Sequence, residues 1–156
     1  MKKIFTILLL VCVSTLAMAQ PRSIGLRFGY YYDASYQHSV GNNFIEIDAG
    51  TWGFNQLHAT AVYDFIFASP DWASKGQFNW YAGPGIGAGY YFGSYYGYKP
   101  FNVGLVGQVG LEYQFWFPLI LSVDYRPMIG VELYNGGTHF YKSGFYDFAF
   151  SARYKF

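Results

Sequence analysis

The sequence predicts an all-β fold: an eight-stranded antiparallel up-and-down transmembrane β-barrel. Three observations predict it. Aromatic residues make up 24% of the 156 residues and charged residues only 12%, against a charged share of about 25% in ordinary soluble domains. The commonest types include Gly (19), Tyr (17) and Phe (16); glycine is a poor helix former, and the rings favour strands. Most of the chain alternates apolar and polar residues with a period of two, which puts each kind on its own face of a strand. Mean hydropathy is only +0.10, too low for a bundle of membrane helices. The formal net charge of +1 argues against a nucleic-acid partner, which needs a basic patch.

The first element is a leader. Lys2 and Lys3 precede an apolar run from Ile4 to Val13 and the small-x-small ending Ala17-Met18-Ala19. Residues 1–19 therefore read as a cleaved secretory signal peptide, leaving 20–156 as the barrel domain. That run is shorter than the roughly 20 residues a membrane helix needs. Without Lys2 and Lys3 the remainder holds eight basic and nine acidic residues, a charge of −1, and the single cysteine, Cys12, leaves with the leader.

Eight alternating segments follow, separated by turn-like residues. In "SIGLRFGYY" Ile24, Leu26, Phe28 and Tyr30 oppose Gly25, Arg27, Gly29 and Tyr31. "YDASYQHSV" sets Ala34, Tyr36 and His38 against Ser35, Gln37 and Ser39. "FIEIDAGTW" sets Ile45 and Ile47 against Glu46 and Asp48. "LHATAVYDFIF" sets Leu57, Tyr63, Phe65 and Phe67 against His58, Thr60 and Asp64. "FNWYAGPGIGAGYY" carries Gly83, Gly85, Gly87 and Gly89 on one face. "FNVGLVGQVGLEYQF" sets Val103, Leu105, Leu111 and Tyr113 against Asn102, Gln108 and Glu112. "LILSVDYRP" sets Leu119, Leu121 and Val123 against Ser122, Asp124 and Arg126. A long loop, 128–143, precedes "YDFAFSARYKF", where Tyr146, Phe148, Phe150, Tyr154 and Phe156 oppose Asp147, Ser151, Arg153 and Lys155.

A soluble exported β-sandwich would bury its apolar faces between sheets, whereas a membrane barrel turns them to lipid. The polar face favours the barrel. It collects Glu46, Asp48, Asp64, Glu112, Asp124 and Asp147 with Arg27, Arg126 and Arg153, and holds almost none of the lysine that marks a solvated surface. Two aromatic girdles are expected: Tyr30, Tyr31, Tyr32, Trp52, Tyr90, Tyr91 and Tyr125 at one rim, and Phe78, Trp80, Phe115, Trp116, Tyr154 and Phe156 at the other.

With this pattern the chain resembles the small bacterial outer-membrane β-barrels of the OmpX and OmpA-domain type. The ending Tyr154-Lys155-Phe156 is similar to the aromatic-x-Phe ending that the barrel-assembly machinery reads in that family. The resemblance implies residence in the outer membrane, contact with its lipid, and insertion by that machinery as a monomer. Both termini would face the periplasm, with short turns near 41–43, 69–76 and 116–118. Loops 91–100 and 128–143 would face outside, where they are the candidate surface for an extracellular ligand.

Chemistry is sparse. The Gly-x-Gly-x-x-Ala pattern within Gly83–Gly89 lacks the following helix that a phosphate loop needs. His38 and Ser39 are neighbours and point to opposite faces. His58 and Thr60 share a face, but Thr is a poor nucleophile there. No catalytic set, metal site or cofactor is expected, and a lipid-modifying barrel enzyme is kept as the alternative to a structural or adhesive role. Inside a barrel this small, charges must pair. Two clusters are expected: Arg126 with Asp124 and Asp147 toward the outer end, and Arg153 with Glu46 and Glu112 toward the inner end, with Arg27 joining one. Asn135-Gly136-Gly137 reads as a hairpin tip flanked by exposed Tyr134, Phe140 and Tyr141, and Lys99 and Lys142 could meet lipid phosphates.

Overall fold

The computed structural model describes residues 21–92, 100–134 and 136–156. The expected leader, most of the 91–100 loop with its Lys99, and Asn135 at the hairpin tip lie outside the described residues.

Strand β1 spans Pro21–Gly29, β2 Tyr32–Val40, β3 Asn43–Trp52, β4 Gln56–Ala68, β5 Gln77–Tyr91, β6 Phe101–Gln114, β7 Leu119–Tyr125, β8 Met128–Tyr134, β9 Gly137–Phe140 and β10 Phe148–Lys155, with a 3-10 turn at Lys142–Phe145. Every pairing is antiparallel. Each strand from β1 to β6 pairs with the next, and β10 pairs with both β7 and β1, closing the sheet. The result is an eight-strand antiparallel barrel. Closure overturns the sandwich alternative, because the apolar faces have no second sheet to pack on.

Ten strands fill eight positions because β7 and β8 share one stave and β9 continues its hairpin. Tyr125 lies opposite Val109 and Met128 opposite Val106, so β7 and β8 pair with β6 in a single register. Pro127 has no N–H and interrupts the ladder. Its carbonyl still accepts from Gly107 N at 3.0 Å, and Arg126 N donates to Asp147 O at 2.8 Å. The loop expected over 128–143 is corrected accordingly: β8 pairs with β6, then turns back through β9. In "MIGVELY" Ile129 and Val131 face outward.

Pro21, Phe156 and the connections 41–42, 69–76 and 115–118 lie at one end, while 30–31, 53–55, Phe92, Pro100 and the β8–β9 pair lie at the other. The tight link between Val40 and Asn43 puts Gly41 at φ +63°, a conformation that a side chain disfavours.

Burial is inverted relative to a soluble domain. The largest fully buried side chains begin with Arg27, Arg126 and Arg153, whereas Leu105 is 71% exposed, Ile86 64% and Phe148 63%. Some apolar groups are also buried: Val62, Val106, Met128 and Tyr141 form one cluster, and Phe44, Tyr81 and Ile120 are fully buried.

Rings crowd the terminal end: Phe78 and Tyr113 at 4.5 Å, Tyr113 and Phe115 at 4.5 Å, Phe115 and Phe117 at 4.8 Å, and Tyr154 and Phe156 at 5.5 Å. At the other end Tyr30 stacks on Trp52 at 6.1 Å, and Tyr125 on Phe148 at 4.2 Å. Tyr31 leaves the expected girdle: it turns inward and is buried, as is Tyr141, expected to be exposed. A ring flanking the first turn has room to fold over the mouth of a barrel this narrow.

Candidate functional site

The charged lumen is assembled by strand parity. Residues of one parity on each stave face inward, so Arg27 on β1, Asp33 on β2, Glu46 and Asp48 on β3, Asp64 on β4, Glu112 on β6, Asp124 on β7 and Arg153 on β10 converge with Arg126 and Asp147 from the links beside β7 and β10. All are buried.

Three arginines organise it. Arg27 donates from Nε and Nη2 to Asp124 Oδ1 at 3.0 and 2.5 Å, from Nη1 to Asp147 Oδ1 at 2.8 Å, and to Asp33 Oδ2 at 3.4 Å. Arg126 crosses the barrel: its Nε donates to Asp147 Oδ2 at 3.1 Å, its Nη2 to Asp33 Oδ2 at 3.2 Å and its Nη1 to Asp48, with Glu46 Oε1 at 4.0 Å. Arg153 donates to Ser35 Oγ and Ser122 Oγ, both at 2.8 Å. Its Nη2 sits 2.9 Å from Glu46 Oε1, close enough for an ion pair but off the hydrogen-bonding direction. Glu46 also accepts from Gln37 Nε2 at 2.7 Å and Gln108 Nε2 at 3.2 Å.

The expected clusters therefore need correcting. Arg126 does meet Asp147, but Asp124 hydrogen-bonds to Arg27. Arg153 does meet Glu46, but Glu112 pairs with Arg22, whose guanidinium also lies over the Phe44 ring at 4.2 Å. Glu112 accepts further from Asn79 Nδ2 and Gln114 Nε2, both at 2.8 Å. Arg22 and Asp33 were missed by the sequence reading. Parity could have found Asp33, which shares its strand face with Ser35 and Gln37.

Adding that pair keeps the surplus the sequence suggested. Seven buried acids (Asp33, Glu46, Asp48, Asp64, Glu112, Asp124, Asp147) face Arg22, Arg27, Arg126 and Arg153 among the described residues. Asp64 stands apart, with neither carboxylate oxygen accepting a hydrogen bond from a described residue. A carboxyl group buried without a hydrogen-bond partner opposes folding. Asp64→Asn is therefore expected to stabilise the barrel by on the order of 1 kcal/mol, read as a higher denaturant midpoint. A lower midpoint would give Asp64 a partner role.

A ring layer covers the network at the loop end. His58 stacks on Tyr31 at 4.0 Å with 6° between planes, and its Nδ1 lies 3.7 Å from Asp33 Oδ1. The hydroxyls of Tyr31 and Tyr141 share a 2.6 Å hydrogen bond. Burial pushes both phenols up, so both stay protonated at ordinary pH. Beneath them is a cavity of about 10 Å³ lined by Tyr31, His58, Arg126 and Asp147 among others, at the threshold for one water.

Among the described residues the recorded side-chain partners of the histidines are Tyr36 for His38, Tyr31 and Asp33 for His58, and Tyr134 for His139. None is a serine. Gly83–Gly89 runs inside β5, paired with β4 and β6, so it forms wall rather than loop. Tyr154 and Phe156 are exposed at the terminal end. The chain matches no family model, no curated protein and no solved structure.

Proposed function

We propose that this chain is an integral outer-membrane β-barrel of the OmpX or OmpA-domain kind. It is exported by residues 1–19 and inserted by the barrel-assembly machinery through Tyr154 and Phe156. In this reading it is a non-catalytic monomer whose lumen is a polar plug, and its role is structural or adhesive, with any ligand met at the loop end. The observation that carries the reading is the inverted burial. Arginines and carboxylates fill the inside while Leu105, Ile86, Phe148 and Phe150 form an apolar outer face. Only a solvent as apolar as those side chains makes such an arrangement stable, and a closed barrel leaves no strand edge unpaired in it. The 10 Å³ remnant beneath Tyr31 and Tyr141 supports a plug over a pore.

Envelope fractionation tests this. The protein is expected to need detergent for extraction and to migrate differently in unheated and boiled gel samples. A band that stays in solution without detergent and does not shift would overturn the reading.

A further inference from the structure

The loop end holds a cavity of about 230 Å³ walled by the rings of Tyr30, Trp52, Tyr91 and Tyr141, with Asn102 and Glu132 among its polar lining. It lies above the ring layer and outside the charged lumen. We propose that this cavity binds a small organic ammonium compound. The inference deepens the reading of a loop-end ligand and rests on it for the side of the membrane the ligand comes from.

Three observations select a cation. Glu132 and Asn102 are direct cross-strand partners on β8 and β6. Among the described residues Glu132 makes no ion pair, and its cross-strand neighbour on β9 is His139. Asn102 is buried, and its Oδ1 accepts no hydrogen bond from a described residue. The unpaired buried atom in the cavity wall is thus an acceptor, Asn102 Oδ1, while the Tyr141 hydroxyl is already engaged with Tyr31 and Gln56. A primary ammonium supplies the missing donors and the opposite charge together.

The walls fit the same ligand. Aromatic faces attract ammonium groups through the ring quadrupole and pack against a short alkyl chain. Tyr30 and Trp52 stand as a stacked pair, 19° from parallel. Below the cavity the lumen carries three more acids than arginines among the described residues, so it holds no excess of positive charge that would repel a cation at the mouth. Gly89 leaves room for two of the lining residues: a Cβ there would press on Asn102 Oδ1 and Nδ2 at 2.8 and 2.9 Å and on Gln56 Nε2 at 3.0 Å.

The test is a calorimetric titration of the full chain in detergent micelles with butylammonium chloride, alongside neutral butanol and methyl glucoside. Butylammonium is expected to bind, more weakly as salt rises. Glu132→Gln is expected to weaken binding by on the order of tenfold, and Trp52→Leu, at a partly exposed position, by several-fold. Equal binding of butanol would overturn the proposal, as would binding of the glucoside alone or an unchanged affinity in Glu132→Gln. The gel shift on heating is read on each sample. A shifting protein that ignores butylammonium refutes the cavity assignment alone, whereas a protein without the shift refutes the barrel reading.

Discussion

Replacing Arg126 with alanine is expected to lower the unfolding free energy by about 3–5 kcal/mol, the usual consequence of removing one partner from a buried charge cluster. Arg126 hydrogen-bonds to Asp147, Asp33 and Asp48 from one guanidinium, with Glu46 at 4.0 Å. Its loss strands carboxylates contributed by three separate regions of the chain. The measurement is the urea midpoint of the heat-shifting band. Adding Asp48→Asn to the Arg126→Ala background is expected to recover part of the loss, although Asp48→Asn alone destabilises. That sign reversal is the mark of direct coupling. Neither variant is expected to conduct ions in a planar bilayer. An Arg126→Ala barrel of unchanged stability that conducts would make the network an ion pathway instead of a plug.

The second large effect is steric. Tyr81 is fully buried, packs edge-on against Phe44 at 5.2 Å, and lies directly across the ladder from Gly110. A Cβ at Gly110 would collide with the Tyr81 ring at Cζ and Oη. The ring thus covers the space its glycine partner leaves, a pairing that also fixes the register of β5 against β6. Tyr81→Ala opens a cavity and is expected to cost about 3–5 kcal/mol. Gly110→Leu alone drives a side chain into the ring and is expected to be comparably damaging or to prevent folding. Together they exchange one filled space for another, and the double variant is expected to regain at least half of the Tyr81→Ala loss. Simple additivity of the two losses in denaturant unfolding would refute the pairing.

The inward set was legible because strand parity is a local property. Glu46 and Asp48, or Asp124 and Arg126, sit two residues apart with apolar residues between them, so their shared face follows from the sequence. The stave after Tyr125 was harder to read. Pro127 signals a break, and "MIGVELY" alternates only weakly through Gly130, yet the carbonyl of Pro127 still accepts from Gly107 and carries the register onward. The pairing of charges was legible only in part: Arg126 meets Asp147 and Arg153 meets Glu46 as expected, but Asp124 and Glu112 find other arginines. Whether Asp124 meets Arg27 or Arg126 depends on the stagger between staves around the closed sheet, which no single strand encodes. The inward face of Tyr31 follows from its parity with Arg27 and Gly29, whereas the stacking of His58 from β4 against it does not.

The closing seam carries a consequence for time rather than depth. Arg27 finds Asp124 and Asp147 at sequence separations of 97 and 120, Arg126 returns 93 residues to Asp33, and Arg153 returns 118 residues to Ser35. A chain lacking either end cannot neutralise these groups, so the interior stays hydrated until β10 docks on β1. Once it docks, opening requires the seam to part while several charges lose their partners in the same event. Contacts of such long separation form late and break early on the route out, and they act mainly on the unfolding rate. How long an assembled barrel survives is then governed by how rarely that seam opens.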